Sequence, residues 1–215
     1  LISRRRLQSF YMGGGTPTTL TAEQLDRILS AAEEAFDFSR LREITVEAGR
    51  PDTITTEKLR VLQAHGVNRI SINPQTMNQE TLDRIGRKHR VEQIGEAFEA
   101  ARRIGFPVIN MDFILGLPGE EAAQVEQSMA AVRQLAPENL TIHTLAVKRA
   151  SIMNETGASP DLRRQADQIE QMLAITSRTA EELGMQPYYM YRQKNMAGNF
   201  ENVGYSLPGR EGLYN

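Results

Sequence analysis

Five short apolar runs, roughly 25–40 residues apart and separated by amphipathic segments, constrain this chain more than any other feature. The runs cover residues 7–12, 43–47, 69–73, 108–115 and 140–147. Helical spacing predicts helices over 21–36, 57–65, 79–85, 91–104 and 120–135, and a long one from Ser159-Pro160 to Leu183. In the first of these, Leu25, Ile28, Leu29, Ala32 and Phe36 fall on one face. Strand–helix units that repeat in this way connect right-handedly and give a parallel sheet, either open or closed as a barrel. Polar residues stand at the C-terminal ends of all five runs: Gly13 to Thr16, Glu47, Gln75, Asp112 and Lys148. A barrel gathers such ends on one rim, whereas an open sheet concentrates them at one switch point. The expected fold is therefore α/β, a partial TIM-like barrel.

The first run leads into Gly13-Gly14-Gly15-Thr16-Pro17. Three glycines at a strand end leave backbone amides and carbonyls bare and permit the positive φ that a sharp exit needs. The spacing is not Gly-x-Gly-x-x-Gly, and no Lys-Ser/Thr follows at the P-loop distance. Thr21-Ala22-Glu23-Gln24 then reads as a capping box. This stretch is either a plain strand-to-helix turn or a ligand contact, and the third glycine with Thr-Pro favours contact.

The 215 residues carry a net charge of −2 and no cysteine. That balance gives no support to a nucleic-acid or membrane-surface partner. No apolar run approaches the ~18 residues of a membrane span, and no signal peptide is visible. Without cysteine the chain has no disulfide and no thiolate metal site. The default compartment is the cytoplasm. Both ends read as cut, so the expectation is a fragment: 1–185 a barrel core lacking its first βα unit, 186–215 the start of a C-terminal, substrate-side segment.

Several polar residues could carry chemistry. Glu47 follows a strand and can accept from a ribose hydroxyl or an ammonium, or pair with Arg50 as a loop acid. Gln75, after Asn73-Pro74, reads alone as a turn residue. Asp112 interrupts an apolar run, and a buried carboxylate costs several kcal/mol unless it is paired or hydrogen-bonded. Arg87, Lys88 and His89 close a short helix, where cations complement the helix dipole. Lys148-Arg149 faces either an anion or solvent. His65, His89 and His143 show no metal-ligand spacing, and no metal is assigned. The aromatic–cationic run at 188–195 reads as a stacking surface for a flat anion or as an edge strand.

Five stretches together carry a resemblance to a known family: Tyr11-Met12-Gly13-Gly14-Gly15-Thr16-Pro17-Thr18, Val46-Glu47-Ala48-Gly49-Arg50-Pro51-Asp52, residues 66–76, residues 111–120 and residues 188–205. The chain resembles, over essentially its whole length, the oxygen-independent coproporphyrinogen III oxidase family of radical S-adenosylmethionine (SAM) enzymes, and within it the HemZ branch. The resemblance implies a partial (β/α)6 barrel. It also implies roles: Gly13, Gly14, Gly15 and Thr16 hold the methionyl amino group, Glu47 and Gln75 bind at the ribose and amino end, and Arg87 pairs with the carboxylate. Asp112, Ile114 and Ala146 line the second-ligand or adenine region. The implied cofactors are SAM and a [4Fe–4S] cluster, the implied substrate a tetrapyrrole, and an electron donor serves the cluster. The implied reaction is oxidative decarboxylation of coproporphyrinogen III in haem biosynthesis. The family's three-cysteine cluster motif is absent from this chain, so the expectation is a segment that begins after it and is inactive alone. A haem-binding chaperone on the same barrel, or a radical SAM enzyme with another substrate, are the alternatives.

Overall fold

The computed structural model describes residues 7–145, 160–191 and 201–214. Its sheet has seven strands: β1 (Ser9–Met12), β2 (Glu43–Gly49), β3 (Arg69–Gln75), β4 (Val108–Leu115), β5 (Asn139–Thr144), β6 (Gln186–Tyr191) and β7 (Asn202–Ser206). The helices are α1 (Ala22–Ala35), α2 (Thr56–Ala64), α3 (Gln79–Arg84), α4 (Val91–Ile104), α5 (Ala122–Leu135) and α6 (Pro160–Glu182). The sheet order is β1-β2-β3-β4-β5-β7-β6. The first five strands run parallel, as the alternation requires. β7 then pairs antiparallel with β5, and β6 antiparallel with β7. That closing pair is absent from the strand–helix alternation; for the run at 188–195, the edge-strand reading holds through Tyr191.

Local rules set the helix starts. Thr21 and Gln24 exchange the two capping-box hydrogen bonds, at 3.2 and 2.9 Å. Thr55 and Asn78 cap α2 and α3. One start differs from expectation. α5 begins at Ala122, and Glu120 turns inward before it, 6% exposed, against the Thr76 hydroxyl.

The two faces of the sheet have opposite chemistry. Ile44, Val46 and Ala48 of β2, Ile70 and Ile72 of β3, and Ile109, Met111, Phe113 and Leu115 of β4 all point to the helices. There they meet Leu25, Leu29, Leu59, Leu62, Ile94, Phe98 and Met129. Each such Val, Leu, Ile, Phe or Met side chain contributes about 1.5–3 kcal/mol by burial. The alternate positions are polar: Glu43, Thr45 and Glu47; Arg69, Ser71 and Asn73; Asn110 and Asp112; Asn139, Thr141 and His143.

This polar face is concave. Neighbouring strands lie about 4.8 Å apart, so β1 and β4 would stand ~14 Å apart in a flat sheet. Yet Glu47 of β2 and His143 of β5, likewise three strands apart, line one cleft. Arg69 of β3 reaches past β4 to donate to the Asn139 amide oxygen of β5. The polar side chains therefore line the inside of a curled half-barrel. Its lower layer is held by a buried ion pair, Arg69 to Glu43 at 3.1 Å. Arg69 also donates to the Arg210 carbonyl at 2.7 Å, and Leu213 N to Glu43 at 2.9 Å, which fastens the segment after β7 across that layer. Among the described residues no helix is long and apolar enough to cross a membrane.

Glu120 links the loop after β3 to the loop after β4. The Thr76 hydroxyl donates to it, the Ser128 hydroxyl lies 3.5 Å from that of Thr76 and accepts from Met77 N at 3.0 Å, and Asn78 N donates to Thr76 at 3.1 Å. Burial raises the Glu120 pKa, against the opposing hydroxyls of Thr76 and Thr81. A raised carboxyl pKa means stability that is present at low pH and lost as pH rises from the ordinary glutamate value through the folded one. We expect Glu120→Gln to gain stability relative to the native chain as pH rises from about 4.5 to neutrality. Thermal melts of both across that range check this; parallel curves would refute it.

Candidate functional site

The glycine-rich segment leaves β1 at the upper end of the barrel. Gly14 and Gly15 take φ of 82° and 68°, which only glycine adopts without strain. Around both, the space that a Cβ would fill is open. The far side of the segment is clamped. The Thr18 hydroxyl bonds the Ala48 carbonyl and lies 2.7 Å from the Thr53 hydroxyl. Lys58 Nζ donates to the Thr18 and Thr53 carbonyls at 2.6 and 3.0 Å. Thr16 rests on Gly49, where an added Cβ would stand 2.9 Å from its methyl. The strand-end stretch Ala48-Gly49-Arg50-Pro51 thus serves as the anchor of the loop.

Glu47 is the hub of this rim. Its Oε2 accepts from Tyr11 Oη at 3.2 Å and from Gly14 N at 3.3 Å, and its Oε1 accepts from Asn73 Nδ2 at 3.2 Å. Burial, and after it Glu47, pushes the Tyr11 phenol well above its ordinary value, so it keeps the proton that it donates to Glu47. Arg50, the alternative partner of Glu47, pairs with Asp52 instead, at 2.5 Å.

Beside Glu47 opens a cleft of about 410 Å3, lined by Asn73, Gln75, Asp112, Ile114, His143, Thr144 and Leu145. Gln75 has φ 71°, a strained value for a residue with a side chain, at the irregular end of β3. Asp112 is surrounded by protein, yet the cleft opens onto it, so it keeps part of its surface in contact with solvent. The thinned hydration raises its pKa; His143, Asn110 and Thr141 oppose that shift, and Glu47 adds to it. Two buried polar atoms on the cleft residues have no partner, Asn73 Oδ1 and Thr144 Oγ1. Unpartnered groups of this kind cost about 1–3 kcal/mol each, and a polar ligand in the cleft would satisfy them.

The structure gathers Gly13, Gly14, Gly15, Thr16, Glu47, Gln75, Asp112 and Ile114 on one rim. Arg87 follows α3, half-buried, and is not among the residues lining the cleft. Its charge falls on the fully buried His89. Burial pushes the His89 pKa down, and the Pro74 backbone beside it lies outside hydrogen-bond geometry, leaving both ring nitrogens unpartnered. Ala146, Lys148, Arg149 and residues 192–195 lie outside the described residues. Tyr11, Asn73, His143 and Thr144 belong to the site without having been singled out for it. The signal for the first three was present: polar residues at every second position of each strand. Among the described residues, no three metal-ligating side chains come together.

A family model described as the radical SAM superfamily matches residues 1–132. The chain belongs to the radical SAM superfamily. It is 48% identical to the oxygen-independent coproporphyrinogen-III oxidase-like protein HemZ of Bacillus subtilis, over 98% of this chain and 42% of that protein. It is 37% identical to the heme chaperone HemW of the same species, over 68% of this chain and 38% of HemW. The solved structure of coproporphyrinogen III oxidase HemN from Escherichia coli superposes with a TM-score of 0.74 at 25% identity, covering 96% of this chain and 45% of HemN. The chain thus spans less than half the length of these relatives. Superfamily members use SAM. The open glycine backbone, the acidic hub and the unpartnered cleft atoms suit its ammonium and its hydroxyls. An iron–sulfur cluster does not fit: iron is held by thiolates, and these residues offer none.

Gly49→Ala tests the anchor. A side chain at φ 70° costs about 1–2 kcal/mol, and this one also collides with Thr16. Gly209→Ala carries a similar strain, at φ 77°, with open space around it. Thermal melts should show a larger loss for Gly49→Ala; equal losses would mean that the Thr16 contact contributes nothing.

Proposed function

We propose that this chain is the SAM-binding barrel of an enzyme that converts coproporphyrinogen III to protoporphyrinogen IX without oxygen. The similarity to HemZ along almost the whole chain carries this reading. On it, the backbone carbonyls of the segment Gly13, Gly14, Gly15 and Thr16 receive the methionyl ammonium. Glu47, already aimed by Tyr11, Gly14 and Asn73, accepts from the ligand's ammonium or ribose, with Gln75 beside it. Arg87 reaches the carboxylate. Asp112, Ile114 and Ala146 face the adenine or a second ligand. SAM supplies, once cleaved by an electron, the power to take a hydrogen atom from an unactivated carbon. What the barrel supplies is orientation: each oxygen of Glu47 is fixed by a donor before the ligand arrives, so little freedom is lost on binding.

The cluster that delivers the electron needs ligands from outside these residues, and no step through it is assigned to them. Residues 186–215, joined to the sheet by β6 and β7, open the substrate-side segment, and 1–185 form the core. The tetrapyrrole substrate, an electron donor and a cytoplasmic setting complete the proposal.

The similarity to HemW favours a second reading, a haem-carrying protein on the same barrel. An anaerobic assay of the intact protein separates the two. Formation of protoporphyrinogen IX with SAM and a reductant supports the oxidase; stoichiometric haem binding with no decarboxylation supports the carrier and overturns the first reading.

Arg87→Ala tests the carboxylate clamp. A charged hydrogen bond is worth about 1.5–3 kcal/mol, so SAM affinity should fall roughly ten- to a hundredfold with the melting temperature unchanged. A cation that only complements the end of α3 contributes about 0.3–1 kcal/mol to stability and nothing to binding. Calorimetric titration beside a melt distinguishes them, and an unchanged dissociation constant removes Arg87 from the site.

A further inference from the structure

A strap of chain crosses the polar inside of the half-barrel. After β7 it is held first at β5, where Leu207 N donates to the Glu138 carbonyl at 3.0 Å and Asn139 Nδ2 donates to the Arg210 carbonyl at 3.1 Å. At β3 the same carbonyl accepts from Arg69, and at β2 Leu213 N donates to Glu43. At β1 the Tyr214 ring lies on the Tyr11 ring, 4.2 Å between centres and 9° from parallel. Residues 207–214 therefore span the sheet from β5 to β1, and their far end meets the residue that donates to Glu47.

The Tyr11 ring is bounded on a second side by Gly13. Gly14 and Gly15 take positive φ, and the space around them is open. Gly13 has no positive φ, and a Cβ placed on it would stand 2.7 Å from the Tyr11 phenol oxygen. What requires glycine at 13 is the Tyr11 ring, which lies along the bare backbone. With Gly13 at its hydroxyl end and Tyr214 over its face, the ring has little freedom, and its hydroxyl is presented to Glu47 Oε2 at 3.2 Å. Stacked aromatic pairs attract one another beyond the area that they bury.

We propose that Tyr214 is a positioning residue of the SAM site: it holds the Tyr11 ring so that the Tyr11 hydroxyl keeps Glu47 aimed at the ligand. Glu47 retains Gly14 N and Asn73 Nδ2 when the stack is lost, so its carboxylate is loosened rather than freed. The ligand class is one whose ammonium or hydroxyls donate to Glu47, and the choice of SAM as the probe rests on the function proposed above. No bond is made or broken in this role. Its consequence is that the segment after β7, assigned above to the substrate side, sets the grip on the cofactor.

A double-mutant cycle in the intact protein tests this. Tyr11→Phe removes the hydroxyl and leaves a ring for the stack. Tyr214 is 60% exposed, so Tyr214→Ala leaves the core in place. By calorimetry, SAM affinity should fall about three- to tenfold in Tyr11→Phe and about two- to fivefold in Tyr214→Ala. In the Tyr11→Phe background, Tyr214→Ala should cost no further affinity, and Tyr214→Phe alone, which keeps the ring, should bind as the native protein does. Melting temperature should behave differently: Tyr214→Ala should lower it equally in both backgrounds, because both retain the stack. An unchanged SAM dissociation constant in Tyr214→Ala, or equal affinity losses in the two backgrounds, overturns the proposal. Failure of the native protein to bind SAM overturns the proposed function and the ligand half of this inference. The contact is then still decided by melts of Tyr11→Ala, Tyr214→Ala and the double variant: a double loss smaller than the sum upholds it, and additive losses overturn it.

Discussion

Everything in this half-barrel depends on one constraint: the inner face of the sheet is polar, and curvature takes it away from bulk water. Polar groups so placed must satisfy one another. They do so in layers set by the strand register. Tyr11, Thr45, Arg69 and Val108 share one level, and Glu47, Ser71, Asn110 and Asn139 the next. In the lower layer the donors are used up, with Arg69 divided among Glu43, Asn139 and the Arg210 carbonyl. Toward the rim the supply fails, leaving Asn73 Oδ1 unpartnered. The site lies where the internal hydrogen bonding stops being complete.

The rim also explains why a flexible glycine segment can hold a ligand in one place. Gly14 and Gly15 have no side chains to fix them, so fixing comes from both flanks. On one side Gly14 N is tied to Glu47; on the other Thr16 sits on Gly49 and Thr18 is pinned by Thr53, Ala48 and Lys58. Bare backbone held between two anchors is open to a ligand and already ordered, which lowers the cost of binding. The Tyr214 ring, stacked on Tyr11 at 4.2 Å between ring centres, ties the end of the described chain to the same hub.

Much of this was legible in the sequence because it follows from local pattern. The parallel strand–helix order, the capping box of α1 and the gathering of Gly13, Glu47, Gln75 and Asp112 at one end of the sheet come from spacing and period alone. Other features were not legible, for reasons of geometry. Glu120 reads as a helix-starting acid by position; only packing shows it turned onto Thr76. Thr18 and Lys58 are 40 residues apart and unremarkable in composition, and only the fold brings them together. His143 was visible as a histidine within a strand, but its neighbour Asp112 is set by the register of β4 on β5, which local sequence does not encode.

By itself, then, the sequence determined the order of elements, which face of each strand is apolar, and that the chain carries no thiolate for a cluster. Those properties reside in the chain's own periodicities and composition. The tertiary structure alone decided the curvature, the antiparallel closure by β6 and β7, the three donors on Glu47 and the cleft that Asp112 and His143 both line. Each of these depends on distances between residues far apart in the chain, and such distances arise only when the helices pack on one side of the sheet and its polar side is bent inward.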